Sequence, residues 1–135
     1  MAYELRSARY LAAEALERVI GPGDTAVDAT MGNGRDTLTL CRLVGPAGRV
    51  YAFDVQRDAV ERTRERLRDA GMLERATLFC LGHERMAEVV KTPVTAVVFN
   101  LGWLPGGITR SPLAGKPPVR RWKARYICLS PWARW

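Results

Sequence analysis

Apolar positions along the first hundred residues change spacing in a regular order. Over 3–20, Leu5, Ala8, Leu11, Ala12, Ala15, Leu16, Val19 and Ile20 recur at helical spacing, and Gly21-Pro22-Gly23 ends the run. A short continuous apolar run at 25–29 then predicts a buried strand. The same alternation repeats three times. A helix is predicted from about Asp36 to Val44, then a strand over 49–55, a helix over 57–71 with Val60, Thr63, Leu67 and Ala70 inward, and a strand over 76–81. A helix over 84–90 and a strand over 95–100 complete the series. Glycine supplies the stops, with Gly45-Pro46 after the first of these helices and Gly71 after the second.

Strands that are apolar throughout, each followed by a helix, predict a parallel sheet covered on both faces. Right-handed crossovers make this an α/β, doubly wound, Rossmann-like sheet. Ligands of such folds bind at the strand C-termini near the switch point beside the first strand. At that place stands "DATMGNGRDT" (28–37).

Composition adds a boundary. The 135 residues are 47% hydrophobic and 26% charged, the values of a globular domain, and no run approaches the roughly 20 apolar residues of a membrane span. The net charge of +7 is confined to one end: residues 1–107 carry equal numbers of acids and bases, whereas 108–135 carry seven Lys and Arg and no acid. That last stretch also holds four prolines and three of the four tryptophans. The expected organisation is a ligand-binding domain over 1–107 and a basic Pro/Trp-rich segment over 108–135. Cys41, Cys80 and Cys128 are odd in number and far apart, and acids in the first twenty residues argue against a secretory leader. Reduced thiols and a cytoplasmic setting are expected, with no metal-ligand spacing.

The glycine turn decides between ligands. No Gly-Lys-Ser/Thr follows it, which excludes a P-loop. The dinucleotide fingerprint is met only at Gly32 and Gly34, because its third glycine position is Thr37. Asp54, at the end of the second predicted strand, is placed for the ribose hydroxyls of any adenosine ligand. Charge discriminates better. Asp28 and Asp36 bracket the turn and would repel a pyrophosphate, although Arg35 lies between them. S-adenosylmethionine (SAM) carries a sulfonium and an ammonium that acids welcome, and a carboxylate that turn amides can hold. A tight turn with no ligand is the plainer alternative.

The second informative segment is "FNLGWLPGG" (99–107) at the end of the fourth strand. The Asn100 side chain and the Leu101 carbonyl can accept hydrogen bonds from an amine, and Trp103 can stack on a planar base. Held so, the amine would aim its lone pair at a methyl group. A loop with Asn100 capping a turn and Trp103 in the core accounts for the same residues.

Together "DATMGNGRDT", "YAFDVQ" (51–56), "GHE" (82–84) and "FNLGWLPGG" resemble one family of class I SAM-dependent methyltransferases. These are small bacterial enzymes first labelled rRNA methylases and associated with tRNA. They methylate the aminomethyl group of 5-aminomethyl-2-thiouridine at the wobble position. The resemblance covers residues 1–107. It implies that Asn33 and Asp36 lie along the methionine part of SAM, that Asp54 holds the ribose and that Gln56 lies near the adenine. It further implies that Gly82 and His83 flank the adenine and that Asn100 sits near the sulfonium. Without the resemblance His83, the single histidine, reads as a loop residue. The resulting cofactor set is Asp28, Gly32, Asn33, Gly34, Asp36, Thr37, Asp54, Gln56, Gly82, His83 and Asn100, with Asn100, Leu101 and Trp103 at the reaction. The expected partner is a tRNA substrate and no membrane, with a homodimer left open.

Past Gly107 the resemblance stops. Family members continue into further helices and strands of a seven-stranded sheet, whereas 108–135 shows no helical period and only "RYICL" as a short strand. A basic tail gripping tRNA, a disordered extension and an out-of-frame or prematurely ended product are the three readings. The last leaves the SAM-binding half with sheet order 3-2-1-4 and "TAVVFN" (95–100) as its apolar edge. An NAD(P)-dependent oxidoreductase and a non-catalytic tRNA-binding fragment are the competing functions.

Overall fold

The structure, a computed structural model, describes residue 14, residues 16–99 and the backbone of 124–129. Five strands form one sheet: β1 (Thr25–Asp28), β2 (Arg49–Phe53), β3 (Ala76–Phe79), β4 (Val94–Phe99) and β5 (Ala124–Leu129). Their order is β3-β2-β1-β4-β5, and every pairing is parallel. The order 3-2-1-4 is the one read from the sequence. β4 is not an edge, however, because β5 pairs along it from Val94↔Ala124 to Phe99↔Leu129. The expectation of an exposed apolar edge is thereby corrected: the backbone groups of β4 that β1 leaves unpaired find partners in β5.

Helix α1 (Arg35–Val44) joins β1 to β2 and helix α2 (Arg57–Asp69) joins β2 to β3. Both follow an apolar stripe: Thr37, Leu40, Cys41 and Val44 are buried on α1, and Ala59, Val60, Thr63 and Leu67 on α2. Asp36 and Asp58 lie in the first turns and Arg42, Arg66 and Arg68 in the last, each matching the helix dipole. Gly71, at φ +70°, ends α2, with the Met72 N–H reaching back to the Leu67 carbonyl at 2.9 Å. The segment read as a helix over 84–90 is shorter: a 3₁₀ turn (His83–Arg85) runs into helix α3 (Met86–Val89). A second 3₁₀ turn, Leu73–Arg75, precedes β3 and has no counterpart in the sequence reading. Of the helix expected over 3–20, residues 1–13 and 15 lie outside the described residues. Residue 14 and residues 16–19 are helical, with Leu16 and Ile20 buried.

The sheet separates two cores. On one face Ala26, Val50, Ala96 and Val98 meet Leu40, Cys41 and Val44 of α1, Leu67 of α2 and the N-terminal Leu16 and Ile20. On the other, Val27, Phe53, Val97 and Phe99 meet Met86 and Val90. β1 is buried on both faces because α1 and the N-terminal helix cover one and the segment of Met86 and Val90 the other, which explains its continuous apolar run. All strands being parallel, their C-terminal ends share one rim. The segments after Asp28, Phe53, Phe79 and Phe99 therefore emerge side by side.

Gly48 illustrates how closely the α1–β2 turn is packed. A Cβ there would overlap Val44 and stand 2.7 Å from the Asp24 carbonyl oxygen. Both obstacles include backbone, which cannot move aside. Gly48→Ala is expected to destabilise the domain by about 2 kcal/mol, read as a lower urea midpoint at unchanged slope.

Candidate functional site

The rim is stitched by backbone hydrogen bonds across strand ends. Ala29 N–H donates to the Val98 carbonyl at 2.8 Å, Met31 N–H to Phe53 at 2.9 Å and Asp54 N–H to Phe79 at 3.1 Å. The turn after β1 is thus tied to the ends of both neighbouring strands. Gly32, at φ +51°, has no atom within 4 Å of where a Cβ would be, so its backbone is open to close approach. Gly34, at φ +82°, faces inward: a Cβ would stand 2.9 Å from Thr63 Cα. Two glycines that look alike in sequence therefore do different work. Gly32 leaves open space at its Cα, and Gly34 lets α1 approach α2.

Asp54 is the hub. Its Oδ2 accepts the Gly32 N–H at 3.1 Å and its Oδ1 accepts the Gln56 N–H at 2.9 Å. A carboxylate offers about four lone-pair sites, so each oxygen keeps one for a further donor. A pair of vicinal hydroxyls matches that demand. Beside it Val55 is 71% exposed, the one exposed large hydrophobic among the described residues. A water-facing valine between Asp54 and Gln56 is an apolar surface for a flat base. The sequence reading missed Val55, and its only sequence signal is an apolar residue just past a strand end.

Asp28 departs from its expected role. It is fully buried at the end of β1, where Oδ2 accepts the Thr37 hydroxyl at 2.7 Å and Oδ1 accepts the Thr30 N–H at 3.2 Å. It ties β1 to the first turn of α1 instead of facing a ligand, and Thr37 is buried with it. Burial pushes the Asp28 carboxyl up to about 7, and Asp36 and Asp54 push in the same direction, while the hydrogen bonds from Thr37 and Thr30 oppose them. The negative field at the turn therefore rests on Asp36 and Asp54 more than on Asp28.

Asn33 and Gln56 are exposed and Asp36 is half-buried, all on the rim. Gly82 is buried and His83 half-buried, at the end of β3. The His83 ring meets Phe99 of β4 edge-on, with centroids 5.5 Å apart, which anchors it to the next strand. Gly32, Asn33, Asp36, Asp54, Gln56 and His83 thus line one rim. Asn100, Leu101 and Trp103 lie outside the described residues, in the chain that follows β4. Among the described residues no group of three or more His, Cys, Asp or Glu could hold a metal, and no helix is long and apolar enough to cross a membrane. Cys41 and Cys80 are free, and burial pushes the Cys41 thiol up to about 11, leaving it protonated and inert.

Comparison with known proteins gives a consistent result. Residues 50–111 match the family described as Putative rRNA methylase. The chloroplastic tRNA (mnm(5)s(2)U34)-methyltransferase of Arabidopsis thaliana is 48% identical over 101 residues, 67% of this chain and 37% of that protein. The crystal structure of a putative rRNA-methylase from Clostridium thermocellum superposes with a TM-score of 0.70 at 43% identity, covering 74% of this chain and 54% of that one. A putative methyltransferase from Streptococcus mutans, solved in complex with SAH, gives 0.65 at 40% identity over 74% and 55%. Fold and rim place the chain among the class I SAM-dependent methyltransferases. Within that class, its residues 50–111 match the Putative rRNA methylase family. It spans about half the length of the two bacterial structures and 37% of the Arabidopsis protein.

The buried Asp28 carries a pH signature. Its folded-state pKa is raised above the unfolded value of 3.8, so the stability it contributes is complete below pH 3.8 and lost as pH rises to about 7. Asp28→Asn should flatten this part of the stability profile, measured as urea midpoints between pH 4 and pH 8.

Proposed function

We propose that this chain is the cofactor-binding part of a SAM-dependent RNA N-methyltransferase. The finer reading is that its substrate is the aminomethyl group of 5-aminomethyl-2-thiouridine at the tRNA wobble position. The observation that carries the cofactor assignment is the Asp54–Val55 pair: a carboxylate with two lone pairs to spare next to a water-exposed apolar side chain. A ribose diol and an adenine fit that pair. The open backbone at Gly32 leaves room for the methionine end, and Asp36 beside it suits a cation. The tRNA named for the Arabidopsis relative and the SAH named for the Streptococcus structure agree with this reading.

Bound there, SAM would supply an electrophilic methyl group to a primary amine in an in-line displacement. The chain's own residues have two tasks. The first is to place the amine at attack distance, which we assign to the Asn100 side chain and the Leu101 carbonyl as acceptors of its N–H groups, with Trp103 against the base. The second is to present the amine without its extra proton. An alkyl ammonium has a pKa of about 10, and a dry pocket lowers it. The basic segment 108–135 would meet RNA phosphates. The free cysteines are consistent with a reducing, cytoplasmic setting.

The test is a calorimetric titration with S-adenosylhomocysteine (SAH) and, in parallel, NADH. Saturable SAH binding that Asp54→Ala weakens by at least about tenfold is expected, since a charged acceptor of two hydroxyls is lost. NADH binding without SAH binding would overturn the assignment in favour of a dinucleotide enzyme.

A further inference from the structure

Two side chains of α2 reach the glycine turn from behind. Thr63 is fully buried, and its Oγ1 donates to the Gly32 carbonyl at 3.3 Å. One helical turn later, on the same face, Arg66 Nε donates to the Asn33 carbonyl at 2.8 Å. Gly34 follows in the chain, and a Cβ on it would stand 2.9 Å from Thr63 Cα. The turn contains two glycines at positive φ, a sequence with wide conformational freedom, and these two bonds fix successive carbonyls of it.

The consequence follows from peptide geometry. In a planar trans peptide the N–H points opposite to the preceding C=O. Holding the Gly32 carbonyl toward α2 therefore turns the Asn33 N–H away from α2. Holding the Asn33 carbonyl does the same for the Gly34 N–H, which bonds the Met31 carbonyl at 2.8 Å and closes the turn. Gly32 N–H is already spent on Asp54 at 3.1 Å. Of the three amides at 32–34, the arrangement leaves that of Asn33 for a ligand carboxylate.

We propose that Thr63 and Arg66 are positioning residues for the cofactor, clamping the turn so that its Asn33 amide is preset for binding. The proposal rests on the methyltransferase reading for its ligand and on the fold alone for the clamp. Arg66 is half-buried and borders a cleft of about 420 Å³ with Asn33, Arg62, Glu65 and Asp69, so its donor can be removed without opening the core. Thr63→Val keeps the buried shape and removes only the hydroxyl.

The experiment compares wild type, Arg66→Met, Thr63→Val and the conservative Thr63→Ser by two readouts. Hydrogen exchange of the Gly32 and Gly34 amides is followed without ligand, and SAH affinity is followed by calorimetry. Arg66→Met and Thr63→Val should each speed exchange at both glycines and weaken SAH about five- to tenfold, while the melting temperature holds and Thr63→Ser stays near wild type. Unchanged exchange would overturn the clamp, whether or not affinity falls. Faster exchange with undiminished SAH affinity would overturn its role in binding. If wild type itself binds no SAH, the cofactor role falls with the methyltransferase reading, and the exchange rates still uphold or overturn the clamp.

Discussion

The hydrogen bond between the Thr37 hydroxyl and the buried Asp28 carboxyl, 2.7 Å long, joins the central strand to the first helix. Much of the rim depends on it. β1 lies between β2 and β4 and has no solvent-facing side, so its last residue must satisfy a polar side chain inside the protein. Thr37 and the Thr30 amide do so, and in doing so they set where the intervening turn lies. A carboxyl there is costly to bury, as its raised pKa indicates. In return the backbone between Asp28 and α1 is held in a fixed geometry.

From that junction outward the rim is built in layers. Backbone bonds from Met31 to Phe53 and from Asp54 to Phe79 hold neighbouring strand ends in register. Asp54 then crosses from β2 to Gly32 with a charged acceptor. Thr63 and Arg66 reach the same turn from α2, 31 and 33 residues away in sequence from the carbonyls they hold. A turn tied from three sides loses little entropy when a ligand arrives, which is what preorganisation contributes to affinity.

The two aromatic groups on the far face serve a different end. Tyr51, Phe53 and Phe79 stack along β2 and β3, with Phe53 and Phe79 centroids 5.0 Å apart, and His83 meets Phe99 edge-on. They carry the register of the sheet to the segment after β3, where Gly82 and His83 stand. β5 adds a parallel partner to β4 on the other side. The strand from which the Asn100 segment departs is therefore an inner strand.

The sequence by itself determined the alternation of strands and helices and the place of the glycine turn and Asp54. These features follow from local physics: apolar period, chain stops, and a charged residue at the end of an apolar run. Tertiary structure decided what each residue at the rim does. Asp28 and Asp36 look equivalent in the sequence, yet one is buried as a strut and the other lies on the rim. Gly32 and Gly34 divide in the same way, because only one of them meets α2. Thr63 read as an inward helix residue and Arg66 as one of several charges on a solvated face. Their roles depend on contacts more than thirty residues apart, which no local pattern records. The pairing of 124–129 with β4 is of the same kind: a short apolar run becomes a strand only when another strand offers it unpaired backbone groups.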